Sequence, residues 1–202
     1  MSTVFRRFVF LAVLLALIPT PPAWAGVTLV EGEVAGVLSR TKVRLEFVYD
    51  GVMVGDKTEA EYVAEKVAEK NAEEAGVGDA WHEAWKQDRT ARYHPKFVEL
   101  VNKYLGKKTE VRVSETMEDP DMVMIIKVLR IEPGFYSYVV NRPAFLDLEV
   151  VLADGKDPGT QLAKIQIFNA PGTAVPDVRT RVGESYAKAA KDLAKWLVKK
   201  GL

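Results

Sequence analysis

Acid–base chemistry in this chain rests on carboxylates, hydroxyls, amines and two histidines, because none of its 202 residues is cysteine. That removes thiol catalysis and thiolate metal sites. His82 and His94 lack the i, i+4 spacing of a helical zinc pair, and no thiolate can complete a site for them. His82 reads as a solvated helix residue, and His94, directly before Pro95, as a boundary residue. Ser39, Ser114, Ser137 and Ser185 do not sit in a Gly-x-Ser-x-Gly elbow, and neither a Walker loop nor a Gly-x-Gly-x-x-Gly fingerprint occurs. Glu115, Glu118, Asp119 and Asp121 crowd a turn around Pro120 and offer the oxygens that calcium takes. They lack the regular ligand spacing and central glycine of a calcium loop, so they read as a solvated turn. No catalytic residue, cofactor or metal ligand is assigned. A pair of acids brought together only by folding would escape this reading, which keeps a carboxylate-based hydrolase of cell-wall or surface polysaccharide as the alternative function.

Contact chemistry is better marked. The segment from Ile131 to Pro143 joins two apolar runs, yet it spends Phe135, Tyr136, Tyr138, Val139 and Val140 where a plain turn would be polar. Exposed aromatics at a loop tip favour recognition of a protein or a sugar, so Phe135, Tyr136, Tyr138 and Arg142 are the candidate partner-binding residues. The other reading is that the loop folds back to cap the sheet, or that the strands extend into it. Trp81 and Trp85 read as core. Glu61, Glu65, Glu69 and Glu73 form one i, i+4 ridge, and Lys188, Lys191, Lys195 and Lys199 form another of opposite sign. Both read as solvated faces, with a partner-facing role as the sharper alternative.

The elements that position these residues follow from periodicity. Val43, Leu45, Phe47 and Tyr49 alternate along a strand. Thr58 and Glu61 have capping-box spacing, which predicts a helix to about Ala75, stopped by Gly76 and Gly78. A second helix opens at Asp79, with Pro95 kinking or restarting it and Phe97, Leu100, Val101, Tyr104 and Leu105 as its stripe. Strands are predicted around Val111 and Val113, over Met122 to Ile131 as a centre covered on both faces, over Ala144 to Leu152, and over Gln161 to Phe168 after a turn at Asp154 to Gly159. Val182, Tyr186, Ala189, Leu193, Trp196 and Leu197 mark a last helix. The fold class is therefore α+β: a single sheet of about five mainly antiparallel strands, packed by two helices from the N-terminal half and one C-terminal helix.

Residues 1 to 25 have the grammar of a signal peptide: Arg6 and Arg7, an apolar run from Phe8 to Ile18, and Ala23-Trp24-Ala25 before the cleavage point. The run is shorter than the ~20 residues of a membrane span, and no lipoprotein cysteine follows it. Cleavage after Ala25 would release a single domain, residues 26 to 202, with no transmembrane segment and a periplasmic or secreted location. The chain has 28 basic and 28 acidic residues; losing Arg6 and Arg7 leaves 26 against 28. That balance argues against nucleic acid and against general adhesion to anionic lipid. Glu132-Pro133-Gly134-Phe135, Arg142-Pro143-Ala144, the Tyr93-His94-Pro95-Lys96-Phe97 region and Tyr186 to Leu193 together resemble a family of uncharacterised exported bacterial proteins common in the Bacteroidetes. The resemblance implies an α+β fold and an envelope location, and no activity. The functional expectation is an exported, non-catalytic binding or assembly module whose partner is an envelope protein or a glycan. The oligomeric state is not readable.

Overall fold

A computed structural model describes residues 26–201. The expected signal peptide lies outside the described residues. In chain order the elements are β1 (Gly26–Gly32), β2 (Lys42–Val48), β3 (Met53–Val54), β4 (Lys57–Thr58), α1 (Glu59–Glu73), α2 (Val77–Asp88) and a π-helical turn (Arg89–Tyr93). They continue with α3 (His94–Leu105), β5 (Arg112–Ser114), β6 (Met122–Glu132), β7 (Phe135–Tyr136), β8 (Asn141–Arg142), β9 (Phe145–Asp154), β10 (Gln161–Pro171) and α4 (Val178–Gly201).

The fold is α+β, and its main sheet has eight strands rather than about five, with mixed rather than mainly antiparallel pairing. The path is β1-β10-β9-β6-β2-β5, with β3 joined to β6 and β4 to β3. Between β2 and β5 the chain crosses over through α1, α2 and α3, so β5 and β6 both run parallel to β2, as such a crossover demands. β3 is parallel to β6 as well. From β6 onward, short connections make β9 and β10 antiparallel neighbours. The strands missing from the sequence reading are β1, whose residues are mostly exposed, and the two-residue β3 and β4. None of these has a long enough half-buried alternation to be read locally.

The core lies between one face of the sheet and the pair α3 and α4. Met124, Ile126 and Val128 of β6, and Leu146, Leu148, Val150 and Leu152 of β9, point into it. Phe97, Val101 and Leu105 of α3 meet Val182, Tyr186, Ala189, Leu193 and Leu197 of α4 above them. Trp196, expected with this set, is only partly buried at the core's edge. The opposite face of β6 is also less covered than its apolar run predicts. Its outer positions Ile125 and Lys127 are half-buried and Leu129 is exposed, while Lys127 and Lys164 flank Glu149 at 3.1 and 4.0 Å.

Local signals act as the sequence predicts in the helices. Thr58 and Glu61 form the reciprocal capping box of α1. Pro95 does not break the second helical stretch. The amide of His94 bonds back to Arg89 rather than to the carbonyl four residues before it, and this wide turn accommodates the proline ring that an α-turn would oppose. No helix among the described residues is long and apolar enough to cross a membrane.

Candidate functional site

At the end of β6 the chain turns through Pro133 and Gly134 into a separate ribbon, β7 paired with β8, in which Phe135 faces Arg142 and Tyr136 faces Asn141. Its base is rigid. Gly134 adopts φ +63°, and a Cβ there would overlap the carbonyl oxygens of Arg142 and Pro143, so only glycine suits the close approach. From α4 the buried Arg181 donates to Pro133 O at 3.0 Å, Val175 O at 2.6 Å and Pro176 O at 2.7 Å. One cation thus ties the root of the ribbon and the loop before α4 to the core.

The tip is closed by its own polar groups. Ser137 Oγ donates to Val140 O at 2.7 Å and accepts from the amides of Val140 at 3.0 Å and Val139 at 3.4 Å, while Asn141 Oδ1 accepts from the Ser137 amide at 3.0 Å. The side chains left outside are apolar. Tyr138 is 107% exposed and Val139 91%, followed by Val140 at 56%, Tyr136 at 48% and Phe135 at 46%. The aromatics therefore do not cap the sheet. Arg142 stands apart from the tip, with its guanidinium 3.9 Å from Glu132 at the base.

A second cluster gathers around the π-helical turn, with no local sign of it along the chain. His94 is buried and not a plain boundary residue: its Nδ1 lies 3.0 Å from Glu115, its Nε2 lies 3.1 Å from the Tyr49 hydroxyl, and its ring stacks on Phe47 at 3.8 Å. Tyr49 in turn lies 3.0 Å from the Tyr186 hydroxyl, with the Arg89 guanidinium 3.8 Å above its ring. One set of roles satisfies every atom: Tyr186 donates to Tyr49, Tyr49 to Nε2, and Nδ1–H to Glu115. This order resembles an activated-nucleophile relay, but the tyrosines are not poised to ionise. Burial is the main cause that pushes Tyr49 up to about 12 and raises Tyr186 well above its usual value. Burial likewise holds the His94 imidazole below its usual range, outweighing Glu115. The chain of hydrogen bonds is a partly buried strut that joins Tyr49, just beyond β2, to α3 and α4.

The other singled-out residues disperse. Trp85 is buried with Val54 and Val63, and Trp81 packs beside it, as expected of core residues. His82 is half-buried and borders a groove of about 780 Å³ between α1 and α2, floored by Val63, Val67 and Trp85. The Glu59 carboxylate at its rim accepts from Trp85 Nε1 at 2.7 Å and pairs with Arg89. In the acidic turn, Glu115 goes to His94, Asp119 pairs with Lys42 and Lys156, Asp121 accepts from the Lys42 amide at 3.0 Å, and Glu118 is exposed. Among the described residues no group of three or more acidic, histidine or cysteine side chains is arranged to hold a metal. The lysine ridge of α4 is partly engaged, with Lys191 and Lys195 over the Tyr104 ring and Lys188 paired with Asp192. In the glutamate ridge, Glu61 caps its helix, and Glu65 and Glu69 pair with Lys57 and Lys66.

No family model matches the chain, and no curated protein matches it. Among solved structures it is similar to the PelC dodecamer of Paraburkholderia phytofirmans, at 12% identity and TM-score 0.39, covering 84% of this chain and 97% of that one. A point variant of that dodecamer in another crystal form aligns with the same identity and coverage at TM-score 0.38. The functional reading rests on the chain's own geometry.

Proposed function

We propose that this protein is an exported envelope protein that works as a non-catalytic binding or assembly module, with the β7–β8 ribbon as its contact surface. The observation that carries the reading is the combination of a clamped base with an apolar tip. Five large apolar side chains stand in solvent on a ribbon whose root is fixed by Gly134 and the buried Arg181. Ordering such a surface in advance lowers the entropy that binding must offset, and exposed apolar patches of this kind mark interaction sites. The export part rests on the leader grammar of residues 1 to 25.

The test is co-sedimentation of the chain lacking residues 1 to 25 with a washed envelope fraction, beside a Phe135→Ser, Tyr136→Ser, Tyr138→Ser variant. Wild type should sediment, and the variant should remain in the supernatant with an unchanged circular dichroism spectrum. Equal sedimentation of the two would move the contact surface elsewhere; absence of any sedimentation would remove the binding module itself.

A further inference from the structure

The shape and chemistry of the tip say what kind of surface it fits. Tyr138 and Val139 project almost free of neighbours, so the tip is a convex spike rather than a platform or a cleft. A sugar site needs polar groups that converge on hydroxyls. Here Ser137 Oγ and Asn141 Oδ1 are turned inward onto the ribbon's own backbone. The five side chains together expose on the order of 600 Å², less than the ~800 Å² per partner of a stable protein interface. That area suffices for a few side chains to enter an apolar phase, where each large one gains free energy without a matching pocket.

The backbone points the same way. Entering the hydrocarbon of a bilayer is costly for unpaired peptide groups. The turn pairs the amides of Ser137, Val139 and Val140 and the Val140 carbonyl internally, which suits shallow insertion at a depth where water still reaches the remaining groups. The order of side chains also suits depth: Tyr138 and Val139 at the extreme, Val140, Tyr136 and Phe135 less exposed, tyrosine being a residue of membrane interfaces, and the charged pair Arg142 and Glu132 at the base.

We propose that the β7–β8 tip inserts into the interfacial layer of a lipid bilayer, with Tyr138, Val139 and Val140 in contact with the acyl-chain boundary and Arg142 and Glu132 left in water. This deepens the binding-module reading and rests on it. Attachment is apolar, because the chain after leader removal has nearly balanced charge. It therefore needs no anionic lipid and survives high salt, unlike binding by a basic patch.

Phosphatidylcholine vesicles free of protein and glycan supply the test. The chain lacking its leader should co-sediment with them at low and high salt alike. A Tyr138→Ser, Val139→Asp variant should bind at least about tenfold more weakly. A Val139→Trp variant should keep binding and show a blue-shifted tryptophan emission when vesicles are added. Circular dichroism of each variant separates loss of insertion from loss of fold, and Val139→Trp reads insertion without removing apolar surface. Insertion is refuted by wild type that ignores the vesicles, by equal binding of the aspartate variant, or by binding confined to anionic vesicles and lost in salt. If the envelope fraction still captures wild type through the aromatic tip while vesicles do not, the binding module stands and its partner is a protein or a glycan.

Discussion

His94 is where a single side chain has the widest consequences. Its imidazole is held neutral by burial, while the unfolded chain would take up a proton near the usual value of about 6.5. Because the unfolded state binds more protons below that pH, stability present above it is lost as the pH falls. Glu115 opposes this shift and Arg89 reinforces it. The melting temperature should therefore decline from about pH 6.5 downward, before the bulk of the carboxylates titrate. His94→Phe keeps a ring against Phe47 but removes both hydrogen bonds. It should cost roughly 1–3 kcal/mol at pH 8 and flatten the decline between pH 6.5 and 5, as thermal melts across that range would record.

At the scale of elements, the α1–α2 hairpin depends on one small residue. Gly78 lies so close to α1 that a Cβ would overlap the Val67 carbonyl oxygen, and its amide donates to Asn71 Oδ1 at 2.8 Å. The obstacle is backbone and cannot rotate away. Gly78→Ala should force the helices apart and destabilise the protein by about 1–3 kcal/mol, despite alanine's better helix propensity. A gain in melting temperature would show that the two helices are not in backbone contact. The π-helical turn is an element-level device too: it carries Arg89 to the Tyr49 ring, Tyr93 onto Tyr186 and His94 to Glu115 within one widened turn.

For the whole molecule, α4 is the keystone of the core. Leu193 and Leu197 are fully enclosed between α3 and the sheet, whereas Trp196 lies at the margin. Leu197→Ala should cost about 2–5 kcal/mol, and Trp196→Ala clearly less, although tryptophan is the larger residue. Chemical denaturation of the two variants checks the order; a reversal would place Trp196 inside. α4 also brings Arg181 to the root of the ribbon and Tyr186 to the hydrogen-bonded strut, so its docking ties the β7–β8 ribbon to the core.

Periodicity alone determined the elements whose apolar residues repeat over two or more turns or along a half-buried strand. The stripe of α3, the alternation of β9, the capping box of α1 and the course of α4 are legible because neighbours along the chain set them. The aromatic run at Phe135 to Tyr138 was legible as out of place for a turn, and only packing decided that it faces solvent. Two-residue strands, parallel pairing across a crossover, and a strut made of Tyr49, His94, Glu115 and Tyr186 leave no local pattern. The two-residue strands are too short to show a period, and the partners in the crossover and the strut are separated by tens of residues. Residue spacing encodes which face of a helix or strand is apolar, whereas only the folded chain decides which distant groups that face brings together and which it leaves in water.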